Sequence, residues 1–148
     1  MIRETLKSLI IRDLGKLKDE ILAYQNEEKL WYTEKGISNS AGNLCLHLIG
    51  NLNTYFGAAF GNTGYIRNRP DEFALKNIPR AELVEKIENT IAVIDKTFDM
   101  ITDAQLAEIS TVEHTLKGIT NEYFFMHLAM HLSYHIGQVN YHRRLLDN

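Results

Sequence analysis

The chain is poor in residues that interrupt or cross-link a fold. Of its 148 residues, two are proline and one is cysteine. A lone Cys45 excludes an intramolecular disulfide and any cysteine-based zinc finger, and it fits a reducing compartment. Positive charge is not in excess either: the formal net charge is -3 and the pI is near 6.1. Phosphate recognition relies on a basic surface, so no nucleic-acid partner is expected. The pairs Arg67 with Arg69 and Arg143 with Arg144 read as solvated faces. A long apolar run is also missing. The opening "MIRETLKSLIIRDLGKLKDE" carries a charge every few residues, unlike a signal peptide or the ~20 apolar residues of a membrane span. The expectation is a cytoplasmic chain with no membrane partner. Neither GxGxxG nor a phosphate loop occurs, and the HExxH of zinc proteases is absent. The Glu-x-x-His pairs of ferritin-like di-iron bundles are absent as well.

What is present is helical periodicity on a chain long enough for one domain, residues 1–148, with a real core. Leu6, Ile10, Leu14, Leu17, Ile21 and Tyr24 recur at spacings of four and three, predicting a helix over roughly residues 3–28. After "YTEKGISNS", Ser38 or Ser40 can cap a second helix reaching about Gly61, with Leu44, Leu48, Leu52 and Tyr55 facing inward. "GNTGYIRNRPDEFALKN" reads as a loop. A third helix starts near Pro79 and carries Leu83, Ile87, Ile91, Ile94, Phe98 and Ile101. "TDAQLAEISTVEHTLKGI" reads as an irregular connection with room for a short extended pair. Thr120 then caps a fourth helix to about Leu146. Four amphipathic helices bury their stripes most simply as a four-helix bundle. The connection of about 17 residues between helices two and three can stretch ~55 Å, enough to run the length of the bundle and make those helices parallel.

Six histidines lie at 47, 114, 127, 131, 135 and 142. His131 and His135 differ by only ~40° around a helix and ~6 Å along it, so both can ligate one ion. They sit in the rhythm Phe124, Leu128, His131, His135, Val139, His142, on an inward stripe. An imidazole there needs a polar partner or a metal, and HxxxH by itself is compatible with either. His47, set among Leu44, Leu46, Leu48 and Leu52, tilts the balance toward metal. It would complete three nitrogen ligands from two helices and leave positions for water or substrate, as catalytic zinc sites do. His127 lies two turns from His135, too far to share the ion, and reads as a packing or ligand-orienting group. His142 reads as a pocket-rim or surface group, His114 as a solvated loop residue, and Cys45 as a small core hydrophobe.

"HLIGN" (His47 to Asn51) and "HLSYHIGQ" (His131 to Gln138) resemble the DinB-like superfamily, which includes the YfiT-type thiol S-transferases. "RNRPDEF" (Arg67 to Phe73) and the closing "GQVNYHRRLL" are most similar to its DUF1572 branch. The resemblance implies an all-α, up-down-down-up four-helix bundle with a long crossover between helices two and three, usually a homodimer. It implies that His47, His131 and His135 bind a divalent ion, commonly nickel, zinc or iron. Members of known activity conjugate or isomerise small electrophiles with low-molecular-weight thiols.

Two functional expectations follow. In one, the ion is a Lewis acid that lowers the pKa of a thiol or a water, giving a thiol S-transferase or a hydrolase that acts on a small molecule. No general base stands out: Asn51 and Gln138 are neutral and suit orientation. Arg67 and Arg69 are candidates for holding an anionic substrate or a thiol's carboxylate. In the other, the chain is a non-catalytic metal-binding or structural dimer with a stress-related role.

Overall fold

The apolar stripe Leu6, Ile10, Leu14, Leu17 and Ile21 is buried along α1 (Ile2–Ala23) in a computed structural model that describes residues 1–148. The helix ends five residues earlier than the periodicity predicts. At Tyr24 the backbone turns extended, and the ring enters the core. The next two amides are taken by Asp147, whose carboxylate accepts from the Gln25 N–H at 2.6 Å and the Asn26 N–H at 3.1 Å. A 3-10 turn, Glu27–Trp31, follows with Asn26 as its cap.

Ser40 caps α2 (Ala41–Leu52) by accepting from the Asn43 N–H. All twelve residues of α2 are buried, so this helix is covered on every side rather than amphipathic. The helical path continues through a π-helical stretch, Asn53–Ala58, into the short α3 (Ala59–Gly61). Two side chains account for the wider turns. The Asn53 amide donates to the Ile49 carbonyl at 2.9 Å and the Thr54 hydroxyl to the Gly50 carbonyl at 2.7 Å. Such back-bonding competes with the regular ladder, and single π turns often sit at functional sites.

The segment expected to be a plain loop contains a helix, α4 (Arg69–Ala74), capped by Asn68 and carrying Pro70 in its first turn. Sequence periodicity is blind to six residues. Pro79 precedes α5 (Arg80–Met100). A capping box of Thr102 and Gln105 starts α6 (Asp103–Ala107), where an irregular connection was expected. The extended pair amounts to one isolated bridge between Ile109 and Thr120. Thr120 caps α7 (Asn121–Leu146).

The chain is thus all-helical, and no helix is long and apolar enough to cross a membrane. Side-chain pairings give the directions of its long helices. Lys7 reaches Asp95 and Asp99 at 2.8 Å, whereas Lys18 meets Glu88, so α1 and α5 are antiparallel. Asn53 bonds Thr90 and Phe56 meets Phe98, so the path from α2 onward runs parallel to α5. His47 meets His131 while Tyr55 meets Phe124, which makes α2 and α7 antiparallel. The C-terminal ends of α1 and α7 are tied by Glu20 to Arg143 at 2.7 Å and to Asn140 at 2.6 Å.

Candidate metal centre

Two helices supply the three imidazoles that the sequence singles out. His47 comes from the enclosed α2, and His131 and His135 from one face of α7. The Nε2 of His131 lies 3.3 Å from the Nε2 of His47 and 3.1 Å from the Nε2 of His135. One nitrogen from each ring falls within 4.8 Å of the others, a group able to hold a metal ion. Two ligands each ~2.0–2.1 Å from one tetrahedral ion would stand roughly 3.3 Å apart, so the spacing fits.

Proton bookkeeping points the same way. The Nδ1 of His47 faces a Glu72 oxygen at 3.0 Å, and the Nδ1 of His135 faces the Gln138 carbonyl oxygen at 2.6 Å. Both of these partners are acceptors, and the one donor near either Nδ1, Arg67 Nη2 at 3.4 Å from His47, is more distant. Both rings therefore carry their proton on Nδ1 and turn a bare Nε2 lone pair toward His131. A single proton on the His131 Nε2 can serve only one of those lone pairs. A cation among the three satisfies all of them. His131 differs from its neighbours in having a buried Nδ1 with no hydrogen-bond partner.

Electrostatics keep His131 and His135 neutral and ready to ligate. Burial, then the neighbouring His135 and His47, push His131 down to about 4. Burial also lowers His135, although the bond to Gln138 opposes it. Glu72 is only 6% exposed. Burial alone would raise its carboxyl, but hydrogen bonds from His47 and Arg67 outweigh that and hold it below the usual carboxylate range. Arg67 grips it with both ends of the guanidinium, Nε to one oxygen at 2.8 Å and Nη2 to the other at 2.9 Å.

Two of the trio, His47 and His131, open onto a cavity of about 690 Å³, and His135 lies outside its lining. Asn51, Tyr55, Phe124, Leu128 and His127 line it, together with Arg67, Arg69 and the 113–117 segment. The match to one family model covers residues 3–148 and with them every residue of the site: it is the model of a protein of unknown function, DUF1572. The chain belongs to the DUF1572 family. No curated protein matches it.

Several placements in this DUF1572 chain differ from the sequence reading. Arg67 is engaged by Glu72, so its charge is not free for a substrate. Arg69 stays on the cavity wall, with its guanidinium over the Phe73 ring. His127 faces the cavity from an exposed position and hydrogen-bonds to no ligand histidine. His142 does not line this cavity but a separate one, and it is only 5% exposed, with Nδ1 accepting from the Tyr24 hydroxyl at 2.6 Å and Nε2 donating to the Tyr32 carbonyl at 2.8 Å. The C-terminal turns of α7 are covered there by the chain leaving α1. His114 is half-buried, stacked on Phe124 at 4.1 Å. Asn51 is buried, and its Oδ1 has no partner. Gln138 does orient His135. Cys45 is fully enclosed, and burial pushes its thiol up to about 12, which removes it from thiolate chemistry.

Glu72 and Gly50 are the residues of the candidate centre that sequence reasoning missed. Both lie inside quoted motifs, "RNRPDEF" and "HLIGN". Their meaning depends on α4 folding back over α2, which no local pattern announces.

Proposed function

We propose that the chain is a metal-dependent enzyme of the DinB-like superfamily, a thiol S-transferase or hydrolase acting on a small electrophile. The observation that carries this reading is the convergence of three Nε2 atoms beside an open cavity that His47 and His131 line. A divalent ion held by His47, His131 and His135 would supply Lewis acidity to a thiol or water. Three imidazoles suit nickel, zinc or iron.

The chain's own residues do the rest. Glu72 and Gln138 fix two rings, leaving their Nε2 atoms directed at a common point. Buried α2 and the apolar Leu128 and Phe124 keep bulk water from the inner wall. Arg69 puts a cation at the mouth, suited to an anionic group of the substrate or of the thiol. The antiparallel and parallel helix pairs described above support an up-down-down-up bundle in which the segment carrying α4 is the long crossover.

An exposed stripe on α7 supports a homodimer. Tyr123, Met126, Met130, Tyr134, Tyr141 and Leu145 are exposed at helical spacing, with Met130 at 72% and Tyr134 at 66%. A second copy fits this face better than an unrelated partner because the face is self-complementary. Antiparallel pairing about the midpoint of Ser133 and Tyr134 would set Met130 of one copy against Gly137 of the other, and Gly137 has open space over its Cα. It also brings Glu122 beside Arg144 of the partner subunit, pairing opposite charges.

Elemental analysis of protein purified without a polyhistidine tag tests the reading first. One divalent ion per chain is expected, lost in His131→Ala; no stoichiometric metal would sink the metal centre. A panel of electrophiles with low-molecular-weight thiols follows. Conjugation that disappears in folded His47→Ala supports the transferase, and hydrolysis without thiol supports the hydrolase. Silence across the panel favours a non-catalytic metal-binding dimer.

A further inference from the structure

One face of α2 is built around a residue from outside it. Asn43, His47 and Gly50 stand at i, i+4 and i+7, so they share a side of the helix. All three serve α4. The Asn43 amide donates to the Glu72 carbonyl at 2.9 Å and to the Leu75 carbonyl at 2.8 Å, tying down the last turn of α4. The Nδ1 of His47 meets the Glu72 carboxylate. At Gly50 that carboxylate lies against the backbone, and a methyl group there would collide with it.

An ordinary ion pair needs none of this. Arg67 and Glu72 are five residues apart and could pair on the surface, where an exposed pair contributes ~0–1 kcal/mol. Here the pair is pressed into α2, and Oε1 is shared between His47 and Arg67. The carboxylate accepts only, and at 3.0 Å it is closer to Nδ1 than the Arg67 Nη2 donor at 3.4 Å, so it selects the ring form with hydrogen on Nδ1. Arg67 neutralises the carboxylate and fixes its plane.

We propose that Glu72 is the positioning residue of the centre, holding His47 in its Nδ1–H tautomer so that Nε2 faces His131, with Gly50 as the space that admits it. The effect on metal affinity rests on the proposed metal centre; the effect on the tautomer does not.

The experiment uses the full chain, nitrogen-15 labelled and free of tag histidines. Long-range proton–nitrogen spectra of the metal-free protein report which nitrogen of His47 carries hydrogen. Cobalt(II) titration, followed by its visible absorption, reports affinity. Wild type is expected to show a single Nδ1–H form of His47. Glu72→Gln offers both an oxygen and an N–H, so that single form should be lost and cobalt should bind about 10–100-fold more weakly. Gly50→Ala retains every ligand and the carboxylate yet displaces the latter, and it should reproduce both effects. This second variant covers the case in which Glu72→Gln does not fold. Cobalt affinity within twofold of wild type together with an unchanged tautomer would overturn the role. If wild type binds no cobalt, the metal centre falls, and the tautomer alone decides: its loss in the variants upholds Glu72, its persistence refutes it.

Discussion

Histidine does two different jobs in this chain, and burial with partners decides which. His142 is enclosed and satisfied on both nitrogens, by the Tyr24 hydroxyl and the Tyr32 carbonyl. It locks the end of α7 to the segment leaving α1. His142→Phe should therefore destabilise the fold by about 1–3 kcal/mol in urea denaturation, because the buried Tyr24 hydroxyl loses its short bond and the part-buried Tyr32 carbonyl its donor. Metal content should not change. His131 is the opposite case, with a buried Nδ1 that nothing satisfies and a pKa depressed to about 4. The folded state then binds fewer protons than the unfolded state between about pH 6.5 and 4. Stability contributed by neutral His131 is fully present above about pH 6.5 and is lost as pH falls through that window. Metal-free wild type should show a steeper drop in Tm from pH 6.5 to 4 than His131→Gln; parallel profiles would contradict the shift. HxxxH pointed to His131 and His135 from spacing alone. His142 occupies the same stripe, and only its neighbours distinguish it.

At the scale of elements, the long helices were legible and the short ones were not. Leu6 through Ile21 repeats for about four turns, and Thr120 stands directly before the apolar rhythm of α7, so both helices follow from local pattern. The six residues of α4 contain too few turns for a periodicity, and their helix is set by the Asn68 cap, Pro70 and docking on α2. Asn43 is the clamp for that docking, and Lys76 also reaches its side-chain oxygen. Asn43→Ala should leave two carbonyls short of donors and loosen α4. Hydrogen exchange across 69–76 is expected to accelerate while α1 and α5 stay protected. Cobalt should bind more weakly as well, since Glu72 moves with the element that carries it. Exchange at the wild-type rate would show that α4 is held by other contacts.

For the whole molecule, α7 has two working sides. Its inner stripe closes the core through Phe125, Leu128, Leu132 and Val139, and the histidines lie at the edge of that stripe. Its outer stripe, from Tyr123 to Leu145, remains exposed along the length of the helix. Contiguous apolar surface of this kind marks an interaction site. In the proposed homodimer Met130 sits near the centre, so Met130→Lys should put two like charges into the contact and yield monomers by light scattering, with the helical content unchanged. A wild type that is monomeric at all concentrations would dismiss the dimer, and a Met130→Lys protein that stays dimeric would move the interface elsewhere. Because the His pair and the outer stripe share one helix, the variant also tests whether metal affinity depends on association.

Sequence by itself determined the helical class, the course of α5 and α7 and the identity of the three imidazoles. Those features rest on spacing, which is a local property of a 3.6-residue turn. Tertiary structure decided everything that depends on which faces meet: that His47 comes within 3.3 Å of His131, that Arg67 is consumed by Glu72, that His142 is buried, and that Gly50 leaves room for a carboxylate. Long-range packing brings Glu72 to His47 from 25 residues away, and no pattern within either segment encodes that encounter.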